Sequence, residues 1–130
     1  MSEFPRTMVG GQSVSRLVIG TNWFLGYSHC TAAKDAYIKE HIGSPKVIAD
    51  TMEVFFRAGV DTVLGSPGLD NLTNAIKETE DRTGRGAIFV ATPLFPFGPH
   101  TPEQGLNLSK CREIVEDAAA RGARICMPHQ

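Results

Sequence analysis

Cysteine is scarce and odd in number: Cys30, Cys111 and Cys126 are widely spaced and never form a Cys-x-x-Cys pair. That pattern excludes a disulfide framework and a structural zinc knuckle, and it fits a reducing cytoplasm. Cys111 and Cys126 read as small hydrophobes on a helix face and in a strand, whereas Cys30, next to His29 in a loop, is the one candidate reactive thiol. No stretch offers about 20 apolar residues free of Gly and Pro, and the first six residues have neither a basic region nor an apolar one. Neither a membrane span nor a cleaved signal peptide is expected. Excess charge is missing as well: 13 basic and 14 acidic residues are scattered without runs, so neither nucleic acid nor an anionic membrane is an expected partner, and a small molecule is the default.

What is present is a core and a rhythm. With 42% hydrophobic residues, 130 residues suffice for one domain with a buried interior. The run Leu17-Val18-Ile19-Gly20-Thr21-Asn22-Trp23-Phe24 is β-branched and apolar before it turns polar and aromatic. Three later apolar segments, 60–64, 87–92 and 124–127, each follow a helix-like stretch ending in glycine, the alternation of a parallel α/β sheet. Ahead of them, residues 7–15 read as a short hairpin turning at Gly10-Gly11.

Helices are expected over 31–41, from Ser44-Pro45 to Gly59, from Asp70 or Asn71 as cap to Gly84, and in the stretch before Gly122. Ile48, Met52, Phe55 and Phe56 share one face of the second of these, and Cys111, Ile114, Val115, Ala118 and Ala119 form a stripe on the last. The loop after the third sheet strand holds Pro93, Pro96, Pro99 and Pro102 and cannot be strand interior.

Two architectures accept this order. An open doubly wound sheet would carry a Gly-rich fingerprint after its first strand, and Gly20 followed by Gly26 is not one. The favoured reading is the amino-terminal half of a (β/α)8 barrel, with a hairpin over 1–16 and four parallel strands with intervening helices over 17–130, continuing beyond residue 130. Its two open edges would then need a missing barrel half or self-association to cover them.

In either architecture ligands bind at the carboxyl ends of the strands. This rule selects Asn22, Trp23, Ser66 and Thr92 as substrate-binding candidates and His129, fixed at a strand end behind Pro128, as a proton donor or electrophile. Trp23, the only tryptophan, is either a stacking surface at the pocket mouth or plain packing. His29, His100 and His129 also invite a metal-dependent isomerase or lyase reading, but no acidic residue at a strand end completes the set and no metal is expected. His41 reads as a solvated helix residue. Gly65-Ser66-Pro67-Gly68 reads as a structural turn, because Asp70 would repel a phosphate at the helix start that follows.

Val14-Ser15-Arg16-Leu17, then Gly20-Thr21, then Ala58-Gly59-Val60 leading the second strand, resembles the opening of an aldo-keto reductase, a (β/α)8 barrel family that uses NADPH. The resemblance implies an oxidoreductase acting on a small molecule, with NADP bound by the second barrel half, or a non-catalytic barrel fragment. It also implies an Asp ending strand two, a Tyr shortly after, a Lys ending strand three and a His ending strand four. Here those places hold Leu64, no Tyr between 65 and 84, Thr92-Pro93, and His129. Loss of the tyrosine acid alone would remove about 10² to 10⁴ in rate, roughly 3 to 5 kcal/mol.

Overall fold

A computed structural model describes residues 4–96 and 107–128. In chain order they form β1 (Arg6–Val9), β2 (Gln12–Ser15), β3 (Val18–Gly20), α1 (Ala32–His41), α2 (Pro45–Arg57), β4 (Thr62–Gly65), α3 (Asp70–Thr83), β5 (Ile88–Ala91), α4 (Leu108–Ala120) and β6 (Ala123–Cys126). The chain is an α/β protein with a four-stranded parallel sheet and a short antiparallel hairpin. Sheet order is β3-β4-β5-β6, the order of the sequence with no reversal. Nothing among the described residues pairs with the outer side of β3 or of β6.

Local chemistry explains most boundaries. The hairpin turns at Gly10 and Gly11, with φ of 54° and 80°, the paired left-handed conformation that lets two strands keep their twist across a two-residue loop. Thr31, Ser44 and Asn107 cap α1, α2 and α4, each accepting from a backbone N–H three residues on. Helix α3 stops at Gly84, φ 65°, where glycine carries no Cβ penalty.

The first sheet strand ends at Gly20, where the sequence turns polar, and Leu25, Gly26 and Tyr27 donate back to the carbonyls of Thr21, Trp23 and Asn22, so local turns replace the ladder. Two sequence expectations need correction. Neither Asp70 nor Asn71 caps α3: Leu69 occupies the cap position with no side-chain bond, Asp70 lies in the first turn, and Asn71 donates to the Gly43 carbonyl instead. On α4 only Cys111 and Ala118 are buried, while Val115 and Ala119 are exposed. Lys110, Glu113, Ile114 and Asp117 turn towards a cleft beside the loops after β4 and β5, so at 100° per residue Val115 and Ala119 fall on the opposite flank of the helix.

The core lies on one face of the sheet. Ile19, Val63 and Phe89 are direct ladder partners, and they cluster with Ile48, Met52 and Phe56 of α2, Leu72 and Ala75 of α3 and Ala118 of α4. Fully burying each large apolar side chain stabilises by about 1.5–3 kcal/mol, so this layer outweighs any surface ion pair. The other face carries the row Gly20, Leu64, Val90 and Ile125, and no residue of α2, α3 or α4 in the core cluster lies on it.

The hairpin is tied to the amino end of that sheet. Ser15 and Thr62 exchange backbone-to-hydroxyl bonds at 2.9 and 3.2 Å, both residues being buried. The Arg6 guanidinium donates to both oxygens of Asp61 at 3.0 and 2.9 Å, and Arg85 adds a longer bond of 3.3 Å. Asp61 is 4% exposed, so removing its carboxylate would leave two partly buried arginines without a counter-charge. Asp61→Ala is therefore expected to lower unfolding free energy by about 3 kcal/mol, and Arg85→Ala by no more than about 1 kcal/mol, read from urea denaturation. Equal losses would show that the Arg6–Asp61 pair is not the anchor.

Candidate functional site

The carboxyl ends of the four parallel strands lie at one end of the molecule, where the ladder runs on into the loops. Thr92 N–H donates to the Gly65 carbonyl at 2.9 Å and Met127 N–H to the Ala91 carbonyl at 2.8 Å. Thr21, the first residue after β3, is buried and donates its hydroxyl to the Leu64 carbonyl at 3.0 Å, locking the first loop onto the next strand. This packing demands glycine at 65: a Cβ there would collide with the Thr21 hydroxyl and come within 2.8 Å of the Leu72 side chain.

Asn22 follows on the exposed side, and its amide nitrogen lies 3.1 Å from His29 Nε2. His29 has φ 56°, the only non-glycine residue with positive φ among the described residues. A left-handed residue with a side chain costs about 1–2 kcal/mol, and the loop around it is held from both sides. Ser28, buried, donates both its N–H (2.8 Å) and its hydroxyl (2.5 Å) to Asp35 on α1, and Cys30 N–H donates back to the Ser28 hydroxyl. The Ser28 hydroxyl and then its N–H hold the Asp35 carboxyl below the usual aspartate value.

The expected site residues are thus divided. Asn22 and His29 are brought together. Trp23 is 49% exposed, with the Lys34 ammonium 4.9 Å from its ring centroid, so it is not packed into the core. Ser66 and Thr92 belong to adjacent loops, and Ser66 opens onto a cleft of about 480 Å³ with Pro67, Pro93, Leu94 and residues of α4. His100 and His129 lie outside the described residues. Their loops aside, no three His, Cys, Asp or Glu among the described residues are grouped to hold a metal. His41 is exposed, its Nδ1 2.9 Å from the Tyr37 carbonyl and its ring stacked on Tyr37.

Cys111 is buried as a small hydrophobe and Cys126 partly so, burial pushing the Cys126 thiol up and away from thiolate chemistry. Cys30 is exposed, and its thiol donates to the Ser28 carbonyl at 3.4 Å. A second cleft, about 530 Å³, lies between the β3–α1 loop and the start of α3, lined by Leu25, Tyr27, Lys39 and Asn71 among others. Sequence reasoning did not anticipate the Asn22–His29 and Ser28–Asp35 pairs. Each spans seven residues of sequence that include the irregular β3–α1 loop, so only the loop's course could reveal them.

Gly65→Ala is expected to cost about 1–3 kcal/mol through the clash with Thr21 and Leu72, measured by denaturant unfolding. An unchanged midpoint would mean that the first loop is not locked to β4. The loop also has a pH response of defined sign. The lowered Asp35 value means that its contribution is fully present above the ordinary value of 3.8 and is lost as pH falls through the lower folded-state value. Trp23 emission, read down an acid titration, should report loop release in that window, and Asp35→Asn should remove the transition.

Comparison with protein-family models, with curated proteins and with solved structures finds no match to this chain.

Proposed function

We propose that this chain forms half of an aldo-keto-reductase-like (β/α)8 barrel, and that a small molecule binds over the carboxyl ends of its strands. The observation that carries the reading is the strand order. Four parallel strands follow one another in sequence order with every core helix on one face. A doubly wound sheet instead reverses order at a switch point and covers both faces. The hairpin tied across the amino end, through Ser15–Thr62 and Arg6–Asp61, supports the same reading, since it sits where a barrel floor would be. No helix among the described residues is long and apolar enough to cross a membrane, and cytoplasmic residence without nucleic-acid partners is the matching expectation.

On this reading NADP is held by the complementary half, and the reaction is an oxidoreduction of the bound small molecule. The residues of this half do not fit the family's reduction step. Leu64 stands where a carboxylate would, its carbonyl taken by Thr21, and Pro93 follows Thr92 where a lysine would. No hydride or proton step is therefore assigned to these residues. Asn22, His29, Ser66 and Thr92 contribute amide, imidazole and hydroxyl groups suited to orienting an oxygen-bearing ligand, and His129 is the one remaining candidate acid.

Trp23 is the only tryptophan, so its emission can report nucleotide binding directly. Titration of the intact protein with NADPH should show saturable energy transfer from Trp23, with half-saturation between about 1 μM and 1 mM. A strictly linear, non-saturating decrease across that range would exclude a nicotinamide site and with it the oxidoreductase reading.

A further inference from the structure

We propose that the cleft between the β3–α1 loop and the start of α3 binds a small organic acid, its carboxylate on the Lys39 ammonium and its apolar body on Phe24, Leu25 and Leu69. The site goes beyond the half-barrel reading and depends neither on it nor on NADP. An aspartate four residues ahead of a lysine on a helix ordinarily pairs with that lysine, and Asp35 holds that place before Lys39 on α1. Here the Ser28 N–H and hydroxyl both bind Asp35, and no carboxylate among the described residues lies within ion-pair distance of Lys39. The Lys39 stem is instead laid over the backbone of Gly26, where φ is 73° and a Cβ would come within 2.5 Å of that stem. Its ammonium stands 5.6 Å from the centroid of the Tyr27 ring. A stem seated on a glycine and a head over an aromatic face restrict where the charge can go, and Lys39 and Tyr27 both line the cleft.

The rest of the wall sets the ligand class. A volume of about 530 Å³ falls within the range of roughly 300–1,000 Å³ that small-molecule sites occupy. Phe24, Leu25 and Leu69 line the cleft and are also packed against the core cluster, so its apolar wall is supported from behind. Among the described residues Lys39 is the one cation lining it and Asp70 the one anion. A phosphate monoester carries about −1.5 to −2 charge at pH 7, more than one ammonium can match, and Asp70 adds repulsion. A single carboxylate is matched by Lys39 alone. The cleft therefore suits an apolar monocarboxylate better than a nucleotide or a sugar phosphate.

Hydrocinnamate is the probe, titrated into the isotope-labelled full chain beside the neutral hydrocinnamyl alcohol and the corresponding primary amine, with amide chemical shifts as the readout. The acid should saturate with a dissociation constant of about 1 mM, as expected for so small a ligand, and move the amides of residues 25–27, Lys39 and residues 69–71. Alcohol and amine should bind about fivefold more weakly, the upper end of what a partly exposed ion pair supplies. Lys39→Met keeps the stem and removes the charge at an exposed helix position. It should bring the acid down to the level of the alcohol while leaving the alcohol unchanged, and Lys39→Arg should retain the preference for the acid. Amide shifts away from the cleft report directly whether each variant is folded. Equal binding of the three probes, acid binding indifferent to Lys39→Met, shifts confined to other segments, or no shift up to about 10 mM acid would each overturn the proposal.

Discussion

Parallel pairing is the constraint from which the rest of this structure follows. Two parallel neighbours cannot be joined by a tight turn, so each pair of strands needs a crossover long enough to return to the starting end, and right-handed crossovers place it on a fixed side of the sheet. When strand order equals sequence order, as in β3-β4-β5-β6, every crossover falls on the same side. The buried apolar side chains of α2 and α3, with Ala118 of α4, then cluster with Ile19, Val63 and Phe89. Among the described residues, none of the core-cluster side chains of α2, α3 or α4 belongs to the face with Gly20, Leu64, Val90 and Ile125.

The two ends of the sheet are held by different physics. At the amino end the contacts are buried and charged or reciprocal: Asp61 between Arg6 and Arg85, Ser15 against Thr62. Such contacts are costly to break one partner at a time, which suits an end that only has to stay closed. The carboxyl end relies on packing close to the backbone, Thr21 on Leu64 with no room for a side chain at 65, and above it the polar groups of Asn22 and His29 are exposed. Strain is concentrated there too, in the left-handed His29. Rigid support under an exposed, strained polar loop is the arrangement expected of a ligand end rather than a floor.

Elements with a strong local cause were legible in the sequence. The Gly10-Gly11 turn, the Ser44-Pro45 start of α2 and the Gly84 stop each depend on one or two residues whose backbone preference admits few alternatives. The parallel sheet was legible because its strands are short apolar runs separated by helices. What failed depended on partners. The stripe on α4 is apolar by composition, but Val115 and Ala119 are exposed, and periodicity cannot reveal whether a neighbour exists. Asn71 was a reasonable cap until the Gly43 carbonyl arrived from a distant loop. Of the site, strand ends could be named in advance, but the pairing of Asn22 with His29 and the exposure of Trp23 depend on a loop course that has no periodic signature.

The chemistry left at the carboxyl end is limited by what the strands bring there. With Leu64 at the second strand end and Pro93 after the third, no carboxylate or ammonium projects from either. Lys34 is placed over Trp23, 4.9 Å from its ring, Asp35 is occupied by Ser28, and Lys110, Glu113 and Asp117 line the cleft that Ser66 opens onto but come from α4, not from a strand end. From the strand ends themselves, amide, hydroxyl and imidazole groups remain, and these can orient a carbonyl or hydroxyl through bonds contributing about 0.5–1.5 kcal/mol each. They cannot match a positioned acid and its partner, whose loss removes roughly 3 to 5 kcal/mol of transition-state stabilisation. Orienting a bound oxygen group is thus within the chemistry of the described strand ends, whereas the strong acid–base pairing of a charged dyad is not.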